Sequence, residues 1–298
     1  MTMHEDQVDV TTGTVAGLIG DQFPEWGGLE VRFLPSTGTV NAIFRVGDGL
    51  AARFPLRAAG GAAEVSAALR REAEASAELA RVSPFPVPEP VALGEPGAGF
   101  PLPWSVQTWL AGTAATAADP GRSERFAEDL AAFLAALRGA DTRGRRFSGG
   151  GRGGVLTDHD EWMALCFEES EGLLDVPRLR GMWSRLRELP REGADVMSHG
   201  DLTPGNVLVA DGRLAGVLDT GGFAPADPAL DLVGAWHLLE RGPRQVLRTA
   251  LGCDDLEWER GRAWAFQQAM GLVWYYVESN PAMSAMGRRT LDRLLEDE

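Results

Sequence analysis

The stretch that most constrains this chain runs from Met197 to Gly222, with the sequence MSHGDLTPGNVLVADGRLAGVLDTGG. Two apolar, β-prone runs flank an Asp-Gly turn at Asp211, a pattern that predicts a β-hairpin. Three polar side chains stand at its ends: Asp201 and Asn206 precede the first strand, and Asp219 follows the second. Because the ends of a tight hairpin lie close together, we expect these three side chains to be neighbours.

The three side chains match the division of labour in a kinase. Asn206 and Asp219 offer oxygen ligands of the kind that Mg²⁺ takes while it shares other positions with phosphate and water. Asp201 can accept the proton of a hydroxyl that attacks the phosphate, and its spacing to the Asn is that of a kinase catalytic loop. Gly200 replaces the usual Arg, and Asp219-Thr-Gly stands where Asp-Phe-Gly would. A surface hairpin that uses Asp and Asn only as turn residues is the alternative.

The whole constellation resembles the aminoglycoside phosphotransferase family. The residues that carry the resemblance are His199-Gly200-Asp201-Leu202-x-x-x-Asn206, Gly216-Val217-Leu218-Asp219 and Asp227-Pro228-Ala229-x-Asp231-Leu232. The resemblance spans about residues 30 to 240 and implies a small-molecule kinase with an α+β, bilobal, protein-kinase-like fold. It also implies that Asp231 holds the catalytic loop through hydrogen bonds to its backbone. The alternative for Asp231 is a cap of the apolar helix that starts at Leu232.

All 28 basic residues are Arg, and this lack of lysine excludes several chemistries. Neither a Walker A lysine nor a pyridoxal phosphate Schiff base is available. If this chain is a kinase, it must therefore bind the phosphates of its nucleotide with Arg. Arg53 lies on a predicted strand where kinases carry their phosphate-binding Lys, and its planar guanidinium can hold a phosphate oxygen and a carboxylate together. An exposed strand arginine is the alternative.

The net charge of −15 disfavours nucleic acid and anionic membranes and favours cationic partners. Cys166 and Cys253 are isolated, and the four His residues form no zinc pattern. The N-terminus lacks the profile of a signal peptide, and no apolar run approaches membrane-spanning length. We therefore expect a cytoplasmic protein, a monomer or a homodimer, that binds neither nucleic acid nor membrane.

Residues 1–110 are predicted to form the small antiparallel-sheet lobe that binds nucleotide. Strand patterns occupy 29–34, 42–46 and 50–54, and a short helix precedes them. Ser36, Thr37 and Gly38, between the first two strands, suit a loop that covers phosphates.

The helix predicted at 62–81 carries two glutamates that could pair with Arg53. The family pattern selects Glu72 and leaves Glu74 in reserve. The Pro- and Gly-rich segment 84–103 favours an extended or turning path. By its order along the chain and by the resemblance, the strand after it leads to a hinge near residues 107–112, where the backbone around Gln107 and Trp109 is expected to bond the adenine.

Residues 111–298 are predicted to form a mainly helical, catalytic and substrate-binding lobe. Predicted helices occupy 123–137, 158–174, 176–189, 230–239, 243–251, 256–276 and 283–295. The Gly-rich segment 143–154 reads as a mobile linker, and the aromatic stripe within 256–276 as core. Carboxylates that could bind a cationic acceptor are Asp158, Asp160, Glu161, Glu257, Glu259, Glu296, Asp297 and Glu298.

Together these patterns and the resemblance imply an ATP- or GTP-dependent, Mg²⁺-requiring kinase that phosphorylates a hydroxyl of a small molecule, above all an aminoglycoside. Asp201 acts as the base, Asn206 and Asp219 hold the metal, and Arg53, positioned by Glu72, holds the phosphates. Another acceptor (a macrolide, choline, a sugar or homoserine) is an alternative. So is a nucleotide-binding protein without catalysis, although such a protein would not need the base.

Overall fold

The computed structural model describes residues 8–35, 40–57 and 61–297, and the chain divides into two compact units. The sheet unit takes in the described residues of Met1–Arg81 and Pro86–Ala111, together with Leu218–Gly221. The helical unit comprises the described remainder, 82–85, 112–217 and 222–297. The assignment of 1–110 to nucleotide binding and 111–298 to catalysis stays a prediction.

The sheet unit is built on five antiparallel strands in the order β1-β2-β3-β5-β4. Its elements are α1 (Thr12–Gln22), β1 (Val31–Leu34), β2 (Asn41–Val46), β3 (Leu50–Pro55), α2 (Ala62–Val82), β4 (Pro90–Gly94) and β5 (Trp104–Thr108). The predicted meander of the first three strands is confirmed. Within the Pro- and Gly-rich segment, β4 adds a strand that was not predicted. It lies at the edge of the sheet, where proline is tolerated because no ladder hydrogen bond is lost.

The core of the sheet unit explains the direction of Arg53. Ala52 and Phe54 are fully buried, and the Phe54 ring stacks on Trp104 with centroids 4.8 Å apart. Because side chains alternate along a strand, Arg53 points to the opposite face of the sheet. Its side chain is 15% exposed there.

The helical unit contains the predicted hairpin and most of the helices. Its elements are β6 (Thr113–Ala114), α3 (Glu124–Arg138), α4 (Asp160–Glu169), α5 (Val176–Leu186), β7 (Val196–Ser198), β8 (Val207–Ala210), β9 (Arg213–Val217), β10 (Ala224–Ala226), α6 (Val233–Leu238), α7 (Arg241–Leu251), α8 (Asp255–Tyr275) and α9 (Pro281–Leu295). β8 pairs with β9, with Val207 opposite Val217. Asp211 and Gly212 turn between them with φ of +51° and +70°, as an Asp-Gly hairpin turn requires.

Several predicted boundaries are wrong in the helical unit. The helix expected at 158–174 ends at Glu169, and Leu230–Leu232 forms a 3₁₀ turn before α6. β6, β7 and β10 are two or three residues long, which is too short for an alternating pattern to reveal.

The aromatic residues of α8 divide between core and surface. Trp258, Trp264 and Phe266 are buried as expected, whereas Tyr275 is 53% exposed. Among the described residues, no helix is both long and apolar enough to cross a membrane.

Candidate active site

In the helical unit, the loop between β7 and β8 carries Asp201 and is held by Asp231; we call it the catalytic loop after the role predicted for it. The two carboxylate oxygens of Asp231 accept the backbone N–H groups of His199 and Gly200, both at 2.8 Å. Asp231 is 4% exposed, and no side chain caps α6. The role implied by the resemblance is therefore present, and the alternative of a helix cap is wrong. His199 supports the same loop, because its Nδ1 accepts the N–H of Asp201 at 3.3 Å.

The two oxygens of the Asp201 carboxylate differ in how many hydrogen bonds they accept. Oδ1 accepts the Nη2 of Arg152 at 2.9 Å and the Nε2 of Gln268 at 2.6 Å, whereas Oδ2 accepts the Nδ2 of Asn206 at 3.0 Å. A carboxylate oxygen offers about two lone-pair positions. Oδ1 is therefore fully used, and Oδ2 keeps one position for another donor. The side chain is 41% exposed, so a small molecule can reach it.

Asn206 sits at the end of a 3₁₀ turn, Pro204–Asn206, directly before β8. Its Nδ2 donates to both the backbone oxygen (2.9 Å) and the carboxylate of Asp201. With the nitrogen of the amide engaged in this way, its oxygen is the atom available to a cation. The loop thus places the Asp201 carboxylate and the Asn206 amide side by side.

Arg152 is a site residue that the sequence reasoning missed, because it lies in the segment interpreted as a mobile linker. That interpretation is wrong for its last residues. A Cβ on Gly153 would lie 2.8 Å from the Cβ of Ala226, and one on Gly154 would lie 2.5 Å from the Phe147 ring. The Gly153 carbonyl accepts the N–H of Asp227 at 2.8 Å. The backbone next to Arg152 is therefore packed in place by glycines that allow close approach.

In the sheet unit, Arg53 lies between two carboxylates. Its Nη2 is 3.3 Å from Oδ1 of Asp219 and its Nη1 is 3.8 Å from Oε2 of Glu72. The ion pair on α2 thus involves Glu72 and not the reserve candidate, Glu74. Thr220 adds a 2.8 Å hydrogen bond to Ser76 of α2. Asp219 has φ of +56° and a side chain that is 53% exposed, so it remains open to a ligand.

Arg53, Glu72 and Gln107 line one cavity of about 460 Å³ in the sheet unit. The N–H of Trp109 donates to the Gly49 carbonyl at 2.8 Å, so this donor is not free for an adenine ring. The adenine contact predicted at Trp109 would then have to use its carbonyl oxygen or its side chain. The loop residues Ser36, Thr37 and Gly38 lie outside the described residues.

The sequence profile of the phosphotransferase enzyme family (APH) matches residues 31–264. The chain belongs to that family. The prediction of an enzyme, a small-molecule kinase, is thereby confirmed. No protein of the curated set matches the chain by sequence.

Solved structures show that this phosphotransferase has the predicted protein-kinase-like fold. It superposes on the GDP complex of aminoglycoside 2'-phosphotransferase-IIIa with a TM-score of 0.71 at 18% identity, covering 97% of this chain and 100% of that one. A macrolide 2'-phosphotransferase from Brachybacterium faecium gives 0.60 at 19% identity, covering 93% and 97%. The ADP-bound aminoglycoside phosphotransferase APH(2'')-Ib gives 0.61 at 15% identity, covering 96% and 99%.

Four of the eight carboxylates proposed for a cationic acceptor are already paired with arginines of the phosphotransferase. The pairs are Asp160 with Arg187, Glu257 with Arg138, Glu259 with Arg262 and Asp297 with Arg244. The Arg187 hydrogen bond lowers the pKa of Asp160, which keeps that pair ionised. Asp158 and Glu161 are exposed and form no ion pair among the described residues, and Glu298 lies outside them. Glu296 is likewise exposed without an ion pair among the described residues, so the expectation stands for Asp158, Glu161 and Glu296.

Two histidines contact the neighbouring glutamines of α8, Gln267 and Gln268. His159 accepts the Nε2 of Gln267 at 3.3 Å, and its burial together with the charge of Arg152 lowers its pKa. His237 is 3% exposed, and burial lowers its pKa to about 4. Both imidazoles are therefore neutral at pH 7.

Proposed function

We propose that this phosphotransferase moves the γ-phosphoryl group of ATP or GTP to a hydroxyl of an aminoglycoside-type antibiotic. The observation that carries the proposal is the Asp201 carboxylate, whose Oδ1 is fully engaged while Oδ2 keeps one open position. Asp201 would accept the hydroxyl proton at Oδ2 as the hydroxyl oxygen bonds to phosphorus. The bond between that phosphorus and the leaving oxygen of the nucleoside diphosphate breaks in the same step. GDP and ADP in structural relatives support the choice of nucleotide.

Asn206 and Asp219 are the ligands that we propose for Mg²⁺. An amide oxygen and a carboxylate suit this ion, which takes few protein ligands and keeps water and phosphate oxygens. Within residues 8–35, 40–57 and 61–297, no group of three or more His, Cys, Asp or Glu side chains is placed to hold a metal. When bound, Mg²⁺ neutralises charge on the phosphates.

The remaining predicted residues complete the nucleotide site in this proposal. Arg53 binds phosphate oxygens with its guanidinium oriented by Glu72, as their ion pair supports. We also assign phosphate binding to Ser36, Thr37 and Gly38, which lie outside the described residues. Gln107 in the strand and Trp109 in the hinge contact the purine ring of the nucleotide.

The proposed acceptor is cationic because Asp158 and Glu161, in the same unit as Asp201, are exposed and form no ion pair among the described residues. Asp158 precedes His159, whose ring bonds Gln267, and the next residue, Gln268, holds Asp201. Ammonium groups of an aminoglycoside would form charge-assisted hydrogen bonds with Asp158 and with Glu161. These carboxylates give the acceptor a docking point within the same unit as the base.

A macrolide is the second candidate, because one relative is a macrolide phosphotransferase and an indole lies nearby. Trp162 is 37% exposed and packs against Gly271, so that a Cβ there would be 2.7 Å from its ring. Gly271 follows Gln268 by three residues, which is about 4.5 Å along a helix. An apolar ring could therefore stack on Trp162 close to the base.

Acceptor-dependent formation of ADP or GDP, measured over a panel of aminoglycosides and macrolides, tests the proposal. For a cationic acceptor we expect the acceptor KM to rise with added salt, since exposed ion pairs are screened over about 8 Å at physiological ionic strength. Asp158→Asn should raise the same KM, whereas Asp211→Asn in the exposed hairpin turn should not. Turnover of a macrolide with none on any aminoglycoside would refute the acceptor class. Hydrolysis without transfer to any acceptor would refute the function.

A further inference from the structure

A buried chain of side chains leads from the catalytic carboxylate to α9. Gln268 of α8 donates its Nε2 to Oδ1 of Asp201 at 2.6 Å. Its Oε1 lies 3.1 Å from Nε2 of His237, and Nδ1 of that ring lies 2.9 Å from the hydroxyl of Thr290. Gln268, His237 and Thr290 are 7%, 3% and 0% exposed. Because these side chains are buried, water does not compete for the hydrogen bonds between them.

Only one arrangement of hydrogens lets every link of this chain form. A carboxylate only accepts, so the Gln268 nitrogen must face Asp201 and its oxygen must face His237. Nε2 of the imidazole then carries the hydrogen. The ring is neutral at pH 7, so Nδ1 can only accept from Thr290. The single hydroxyl hydrogen of Thr290 then points to Nδ1 at 2.9 Å and not to its other acceptor, the Met286 carbonyl at 3.0 Å. The donors of all three links thus point towards Asp201. The contact with His237 therefore fixes which end of the Gln268 amide faces the carboxylate.

This orientation matters because an aspartate does not fix its own carboxylate plane. The last torsion of Asp is broad and roughly two-fold, so hydrogen bonds must select which oxygen faces the acceptor. Arg152 alone would hold Oδ1 less firmly, since its Nη2 is shared with the Gly200 carbonyl at 3.2 Å. Gln268 supplies the shorter contact to Oδ1 and has its second atom anchored by His237.

We propose that Gln268 is a positioning residue for phosphoryl transfer, held by His237 and Thr290, which keeps Oδ2 of Asp201 facing the acceptor hydroxyl. The proposal rests on the role assigned to Asp201 above. Neighbouring Gln267 provides a matched comparison, because it is 6% exposed on the same helix but bonds His159 instead of the base.

The test compares Gln268→Met with Gln267→Met, since methionine is unbranched and fills a buried site of this shape. We expect kcat for the acceptor to fall about 10- to 100-fold in Gln268→Met, with both KM values within about twofold of wild type. Gln267→Met should keep kcat within about threefold. Adding His237→Phe to Gln268→Met should lower kcat no further, because His237 acts through Gln268.

Unchanged kcat in Gln268→Met, or an equal loss in Gln267→Met, would overturn the proposal. If Asp201→Asn is inactive while Gln268→Met is fully active, this inference fails and the proposed function stands. A crystal structure of Gln268→Met decides the inference without turnover. A carboxylate of Asp201 rotated away from its contact with Arg152 supports it, and an unmoved one refutes it even if no acceptor is ever phosphorylated.

Discussion

The substitution Asp231→Asn tests how the catalytic loop is held. It changes one buried atom, because the amide keeps one oxygen and replaces the other by a nitrogen that faces a backbone N–H. Asp231 now accepts two N–H groups at 2.8 Å, from His199 and Gly200. In the variant, one of these donors loses its acceptor.

The expected loss of stability follows from those two contacts. A buried donor left unsatisfied costs about 1–3 kcal/mol. The remaining hydrogen bond also weakens, since a neutral acceptor is roughly half as strong as a charged one. A total of about 2–4 kcal/mol is large beside the 5–15 kcal/mol, roughly, that stabilises a typical protein. At about 2–4 °C per kcal/mol, we expect Tm to fall by about 5–15 °C.

Thermal unfolding followed by circular dichroism, together with kcat, measures both consequences. The kcat should fall because the loop that carries Asp201 loses its support, while the nucleotide KM should change little. Asp292→Asn on the exposed face of α9 is the matched control and should melt with wild type. If Asp231→Asn melts within about 1 °C of wild type and keeps its kcat, the buttressing role is refuted.

Three further predictions concern the metal, the base and pH. Asp219→Ala should abolish Mg²⁺-dependent nucleotide binding in calorimetry, and Asn206→Ala should weaken it less because an amide carries no charge; equal affinities would contradict this. Arg152→Ala should lower kcat about tenfold or more with unchanged nucleotide affinity, and Arg146→Ala, an exposed control, should not. Because His237 has a pKa of about 4 when folded and about 6.5 when unfolded, the unfolded chain binds more protons between these values. Stability should therefore fall by about 3 kcal/mol from pH 6.5 to 4 in urea titrations, and a smaller fall in His237→Gln would identify the source.

Local patterns in the sequence were enough to predict the hairpin and its polar ends. An Asp-Gly turn between two apolar runs leaves few conformations, so the pairing of Val207 with Val217 could be expected. The role of Asp231 needed the family resemblance, because a carboxylate before a helix fits a cap equally well. Its contacts to residues 31 and 32 positions earlier decide the question.

The other site residues could not be predicted from local sequence patterns, because they lie far from Asp201 in the sequence. Arg152 and Gln268 lie 49 and 67 positions from Asp201. One sits in a Gly-rich segment that looks like a linker, and the other lies within a mostly buried helix. Composition likewise cannot tell which carboxylates are free. Asp160 looked as available as Asp158, but Arg187 neutralises it from 27 positions away.

The central claim is that Asp201 accepts the proton of the acceptor hydroxyl, and Asp201→Asn tests it most directly. The measurement is acceptor-dependent release of ADP or GDP, with nucleotide binding followed in parallel by calorimetry. We predict a loss of turnover of about 10² or more with nucleotide affinity retained, because the base acts on the acceptor. Asp211→Asn, in the exposed turn of the same hairpin, should leave both quantities unchanged. Near-normal turnover in Asp201→Asn would contradict the account.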